Sequence, residues 1–333
     1  MNVFEILKMP KFNLYNLYLV VYLIQILSAC TAEPEFTPIS SWSQLSNFPG
    51  PPRASASSFV SGSKAYICLG RKELRSGFLK DLWEYNSETD HWTRKTDFPG
   101  KGRVKAIAGV IGDKAYIGLG CVSAYSGNQF SDLWEYDLLT DTWKEMAPFP
   151  GVAKTDLSFA VIDSCIYTTN GFAETSFNSE SYQFNPRTNA WKKMKNSPLV
   201  RSSMAWFAIN NTFYMGSGYE GGGHKDFYAY QMQTDQWKRV ADLPQARVLS
   251  QGLTVNGKGY VLLGRYWDGA LNGGKLLKSI VEYDPQLNKW TSRGDFPGGA
   301  RQNALVFSIN GKGYVMAGED EQVCKSDVWM FQP

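Results

Sequence analysis

Six basic residues recur at one place in a repeating pattern: Arg53, Arg103, Lys154, Arg201, Arg247 and Arg301. A guanidinium offers a planar fork of donors, so a ring of them suits a carboxylate or another acidic ligand. Five carboxylates stand in irregular segments of the same pattern: Glu73, Glu220, Asp268, Glu319 and Asp320. Such a group can exchange a proton with a sugar's ring oxygen or anomeric hydroxyl, which is all that mutarotation requires. Glu319, Asp320 and Asp268 are the candidates for that work. Tyr125, Tyr219, Tyr266 and Trp267 share those segments. An aromatic face can lie against a sugar ring.

Other chemistries lack their residues. Histidine occurs twice, at His91 and His224. The strand order below puts the two on opposite faces, so they cannot share a metal, and neither a metal nor a cofactor is expected. No Ser-His-Asp arrangement, phosphate loop or paired-cysteine zinc motif is present. Net charge is only +3, which makes no case for a nucleic-acid partner.

The elements that must position these side chains are written as a repeat. Residues 81–100, DLWEYNSETDHWTRKTDFPG, and 132–151, DLWEYDLLTDTWKEMAPFPG, are identical at eleven of twenty positions without a gap. Weaker copies place an aromatic seven residues before a Trp at Tyr85/Trp92, Tyr136/Trp143, Phe184/Trp191, Tyr230/Trp237 and Tyr283/Trp290. Turn formers lie between them. A Pro follows each Trp by seven residues, and the basic residue comes three or four positions later. An apolar stretch then leads through a short turn to a strand carrying Tyr66, Tyr116, Tyr167, Tyr214, Tyr260 or Tyr314. The period is 46–54 residues, too long for a helical solenoid. It reads as four short antiparallel strands, A to D, making one blade of a propeller. The chain stops at Asp327-Val328-Trp329-Met330-Phe331, a strand C with no strand D behind it. Ser41-Trp42, with Pro49 and Arg53 after it, is a strand D with no blade before it. The first strand is therefore expected to complete the last blade, giving six blades over residues 41–333 and removing an exposed edge.

With these motifs the chain resembles a kelch-repeat β-propeller over essentially all of residues 41–333. The expected fold is all-β, a six-bladed kelch-type propeller closed by its N-terminal strand. The double glycine that ends strand B in the strongest kelch pattern is replaced here by LG at 69–70, 119–120 and 263–264, NG at 170–171, SG at 217–218 and AG at 317–318. The repeated Trp, Tyr, Pro and Gly are expected to serve packing and turns.

Antiparallel order sorts the loops. B–C and D–A loops share one face; A–B and C–D turns share the other. The B–C loops are long and unlike one another: 71–80, 121–131, 172–181, 219–226, 265–278 and 319–326. Variable loops on a regular scaffold are where binding usually sits. The basic residues begin strand A, the innermost strand, on that same face. The kelch resemblance implies an anion-friendly funnel there, with about half of the six pointing in; the competing reading pairs each with a carbonyl or acid and leaves it to order the turn.

The N-terminal segment is a separate object. Lys8 and Lys11 precede an apolar run from Phe12 to Leu27, and Leu27-Ser28-Ala29-Cys30 follows. That order describes a secretory leader, and LSAC matches the bacterial lipobox, in which the Cys thiol takes a lipid. The reading is a signal peptide over 1–29, a lipid-anchored tether over 30–40 with lipid on Cys30, and a place in the bacterial envelope at the outer rather than the inner membrane. Met9 is an alternative start. A plain signal peptide or a membrane helix with a coincident Cys competes, although Asn13, Asn16 and Gln25 interrupt the run. Cys68, Cys121, Cys165 and Cys324 allow three disulfide pairings, or stay as buried thiols.

Two functions fit. The first is a binding module holding a glycan or protein ligand on the long-loop face. The second is a metal-independent mutarotase. FPGPPRASA (48–56) and FPGGARQNA (296–304) are similar to an FPGGPR stretch of the N-acetylneuraminate epimerase family, and IGLG (117–120) has an echo there. The long acidic inserts of that family are missing.

Overall fold

The Trp that recurs seven residues after an aromatic is explained by pairing. In a computed structural model of the chain, which describes residues 38–39, 41–74, 76–122, 128–267 and 273–333, the two are cross-strand partners. Tyr85 faces Trp92, Tyr136 faces Trp143, Phe184 faces Trp191, Tyr230 faces Trp237 and Tyr283 faces Trp290. Their ring centroids lie 4.7–5.0 Å apart, the distance of a favourable tilted aromatic pair. The residue that turns the chain between them has positive φ: Asp90, Asp141, Asn189, Asp235 and Asn288. Asp and Asn tolerate that backbone, and their side chains accept hydrogen bonds locally. Here the acceptor serves two blades. Asp141 accepts from the Tyr136 hydroxyl in its own blade and from the Thr96 N–H of the blade before. Asn288 does the same with Tyr283 and Ala241.

Among the described residues every regular element is a strand, and six four-stranded antiparallel sheets form the blades. Blade 1 runs Ser57–Ser61, Lys64–Cys68, Leu82–Asn86 and His91–Lys95 from inside to outside. Blades 2 to 5 repeat this order. Blade 6 takes Leu305–Ile309, Lys312–Met316 and Val328–Gln332 from the C-terminal end, and Ser41–Gln44 as its outer strand. Ser41 pairs with Gln332 and Gln44 with Trp329, so the ring closes as the sequence indicated. Trp42 meets Phe331 at 4.9 Å, the same pair as in the other blades. Ser46 then bonds Asp90 across the closing seam, as Thr96 bonds Asp141 at an ordinary one.

Apolar residues of strands A, B and C fill the spaces between neighbouring blades. One such layer joins Ile67 and Tyr85 of blade 1 to Phe307 and Met316 of blade 6. Cys68, Cys165 and Cys324 are free thiols, and all four described cysteines are buried. Burial pushes the Cys68 thiol up to about 12 and that of Cys324 up to about 11, so both are inert at neutral pH.

The residues that replace the first kelch glycine keep its backbone. Leu69, Leu119, Asn170, Ser217, Leu263 and Ala317 have φ between +57° and +63°. That turn points the carbonyl inward, where the basic residue sixteen positions earlier donates to it, as Arg53 does to Leu69 and Arg301 to Ala317.

Candidate functional site

Strand A of each blade lines the central channel, and its entry forms the channel mouth on the long-loop face. The first tier of that mouth is Ser55, Lys105, Asp156, Ser203, Leu249 and Asn303, each with positive φ. Backbone bonds link several of them around the axis: Lys105 N–H to Ser55 O, Ser55 N–H to Asn303 O, Asn303 N–H to Leu249 O, and Leu249 N–H to Ser203 O. A second tier consists of the first residue after each strand-B glycine: Arg71, Cys121, Phe172, Tyr219, Arg265 and Glu319. Each forms a β-bridge with the residue just before the first tier, as Arg71 does with Ala54 and Glu319 with Gln302.

The two tiers divide the mouth into unlike halves. Over blades 3 to 5 an aromatic row runs Phe172, Phe177, Tyr219, Trp267, with centroid separations of 5.2, 6.0 and 5.5 Å. All four are partly exposed. The hairpin Phe172–Ala173 with Ser176–Phe177 carries the first two rings, and Trp267 follows the hairpin strand Arg265–Tyr266, which pairs with Lys275–Leu276. The Gly223 N–H donates to Trp267 O and ties the blade 4 loop to the second hairpin. From blade 5 across blade 6 to blade 1 the mouth is ionic. Glu319 accepts from Arg71 Nη2 at 2.7 Å, from Asn303 Nδ2 at 2.8 Å and from Gln302 Nε2 at 3.3 Å. Arg265 bonds Gln302 at 3.1 Å and Glu321 at 3.2 Å. A separate ion pair, Lys105–Asp156, joins blades 2 and 3 in the first tier.

Below the mouth the channel encloses about 400 Å³. Its wall is uneven. Phe159 and Trp206 stand three residues deeper than Asp156 and Ser203, with centroids 4.2 Å apart. Ser58 and Ala108 contribute small side chains, and Gly252 none, to the rest of the lining. The space is therefore apolar on one side, open on another, and capped by charge pairs.

The six basic residues do not line this space, which corrects the expectation of a cationic funnel. Arg53, Arg103, Lys154, Arg247 and Arg301 are 0–1% exposed and Arg201 is 8% exposed. Four turn back into their own blades and grip the aspartate that opens strand C. Arg53 holds Asp81 through contacts of 3.0 and 2.6 Å, and Arg201 holds Asp226 at 2.7 and 3.1 Å. Arg103–Asp132 and Arg301–Asp327 repeat the fork. Lys154 instead meets Asn178 Oδ1 and Glu180 O. An unpaired buried charge is costly, so a fixed cation next to a fixed carboxylate is the lower-energy arrangement. The signal was in the repeat: Asp81, Asp132, Asp226 and Asp327 recur in the same blades as the paired arginines.

One of these pairs sets a pH dependence. Burial would push the Asp226 carboxyl up, but the hydrogen bond and charge of Arg201 outweigh it and hold it below the usual range. The stability that results is present above the unfolded-state value, about 4, and is lost as pH falls through the lower native value. The melting temperature is expected to fall on acidification below about pH 4. Asp226→Asn is expected to melt lower at neutral pH and to show a shallower acid decline. An unchanged acid slope in that variant would remove the pair from the account.

The other expected residues divide as follows. Tyr219, Tyr266, Trp267 and Glu319 are on the mouth face, as expected. Asp320 is there too, but it pairs with Lys325, which with loop N–H groups holds its carboxyl down to about 2. It is thus a poor proton donor. Glu319 is 2% exposed, its Oε1 accepts three hydrogen bonds and its Oε2 lies 2.6 Å from Arg71 Nη2, so it is part of the rim's frame. Glu73 accepts from Ser76 in an exposed turn. Glu220 is exposed and offers its carbonyl to His224. His91 lies at the C–D end of blade 1, on the face opposite His224. Tyr125, Asp268 and Cys30 lie outside the described residues. Sequence reasoning missed Phe172, Phe177, Phe159, Trp206, Arg71, Arg265 and the Lys105–Asp156 pair. Arg71 and Arg265 could have been found as the residue after a strand-B glycine. The channel aromatics occupy positions read as ordinary core.

No family model matches the chain. Kelch-like protein 23 of Homo sapiens is 26% identical over 277 residues, covering 81% of this chain and 46% of that protein. Kelch-like protein 15 of Homo sapiens is 26% identical over 178 residues, or 46% of this chain and 28% of that protein. The chain thus spans less than half the length of these curated relatives. Among solved structures, YjhT superposes with a TM-score of 0.74 at 17% identity, covering 86% of this chain and 97% of YjhT. The fold is a six-bladed kelch-type propeller.

Proposed function

We propose that this propeller is a binding module, and that its long-loop mouth holds a glycan. The observation that supports this reading most is the aromatic row Phe172–Phe177–Tyr219–Trp267 beside an ionic half carrying Arg71, Arg265 and Glu319. Sugars present both an apolar ring face and a rim of hydroxyls, and this pairing of surfaces suits them. Cys30 as a lipid-bearing residue, with anchoring at the bacterial envelope, belongs to the same proposal; fatty-acid labelling lost in Cys30→Ser tests it.

A second reading, a mutarotase, rests on the Lys105–Asp156 pair at the channel mouth, an acid beside a base. One NMR experiment separates the readings. The protein is mixed with acidic and neutral sugars, including N-acetylneuraminate. Saturation transfer reports binding, and exchange between anomer signals reports mutarotation. The expected result is saturation transfer, weakened about tenfold or more in Trp267→Ala, with anomer exchange unchanged. Faster exchange that is lost in Asp156→Asn would make the protein an enzyme. Silence across the panel would reject both sugar readings and leave a protein ligand.

A further inference from the structure

The arginine of blade 5 has lost its acid. Arg53, Arg103, Arg201 and Arg301 each face an aspartate, but the matching position in blade 5 is Ser279. The change is not confined to one residue. The Trp two places after the aspartate in blades 1, 2 and 6, which donates to that carboxylate, is Val281 here. The ring beneath the guanidinium, Phe48, Phe98 or Phe296 at 4.6–4.9 Å, is replaced by Leu243.

Arg247 stays nonetheless, and it is 1% exposed. Its contacts are few and long. Nη1 reaches Leu263 O at 3.4 Å and Ser279 O at 3.3 Å, and Nη2 reaches Ser279 Oγ at 3.2 Å. Nε has no partner. Burial pushes its pKa down to about 10, and no neighbouring charge opposes the shift. Even so, the guanidinium remains a cation at neutral pH. Blade 3 meets the same difficulty differently, because burial brings Lys154 down to about 8 and lysine can give up its proton. Arginine has no such exit. An uncompensated buried guanidinium is strongly unfavourable, so the site calls for a negative charge from outside the chain.

We propose that Arg247 and Ser279 bind a small monovalent anion, with chloride as the simplest occupant, where the other blades place an aspartate carboxylate. Nη1 and Nη2 of Arg247, the groups that meet the aspartate in the other blades, and the Ser279 hydroxyl are the donors that would face it. The site also underlies the aromatic row. The Arg247 carbonyl accepts from Gly218 N–H at 2.9 Å, and its N–H donates to His224 O at 3.2 Å, bracing the loop that presents Tyr219.

The test is thermal unfolding of the whole protein at matched ionic strength in sodium chloride or sodium gluconate, whose anion is too large to enter. Wild type is expected to melt higher in chloride, by about 2 °C for each tenfold rise once the site fills. Ser279→Asp supplies the carboxylate internally. It is expected to melt higher than wild type in gluconate and to lose the chloride increment. Arg247→Met is expected to lose the increment as well, which keeps the test decisive if the aspartate variant folds poorly. Crystals soaked in bromide should give an anomalous peak beside Arg247. Equal melting in the two salts, or a chloride increment that survives in both variants, would overturn the proposal.

Discussion

Asp81→Ala is expected to destabilise the propeller by about 3–5 kcal/mol, the cost of leaving a buried ion without its partner. Arg53 is 0% exposed and Asp81 7% exposed, and the two share a bidentate contact with a closest approach of 2.6 Å. Asp81 also accepts from Trp83 Nε1, so the substitution orphans three donors at once. Removing both charges should be milder. Asp81→Ala with Arg53→Met is expected to recover much of the loss, because the desolvated cation disappears with its counter-ion. Urea unfolding of the three proteins measures this. A loss below about 1 kcal/mol in the single variant would mean that the pair behaves as a surface ion pair. The comparison bears directly on blade 5, where the chain itself has made this change at Ser279.

The second large effect is expected at Gly264. This residue has φ of +88°, outside the left-handed well that Leu263 beside it occupies at +63°. A Cβ there would stand 2.5 Å from Val248 O and 2.7 Å from Ser250 N, both backbone atoms of its own blade. Its N–H donates to Arg301 O of the next blade, so the strain would reach the joint between blades 5 and 6. Gly264→Ala is expected to cost about 3–5 kcal/mol, adding backbone strain to a contact that no rotamer relieves. Ala317→Gly is the control. Ala317 sits at +58°, within the well, and the change should move stability by less than about 1 kcal/mol. Equal effects from the two substitutions would show that close approach does not govern these turns.

The whole ring was legible in the chain because its information is local and repeated. Each aromatic, turn and Trp is a hairpin, and a hairpin's register follows from its turn. Five complete copies with a strand C left at one end and a strand D at the other leave one closure, and Ser41–Gln44 makes it. Strand order also placed the long loops, and with them Tyr219, Trp267 and Glu319, on the mouth face.

What the sequence could not determine was the direction of a side chain and the company it keeps. The six basic residues begin strand A in every blade, yet the same position serves a funnel or a buried fork equally well. Only the tertiary structure decided it, because the partner aspartate is 25–29 residues away and meets the arginine once strands B and C have folded back. The aromatic row was hidden for the same reason. Phe172, Tyr219 and Trp267 belong to three blades, and no spacing within one repeat records their 5–6 Å approach. Local pattern is carried by backbone periodicity, which a sequence shows directly. Contacts between blades depend on side-chain volume and charge across the ring, and these exist only after the ring has closed.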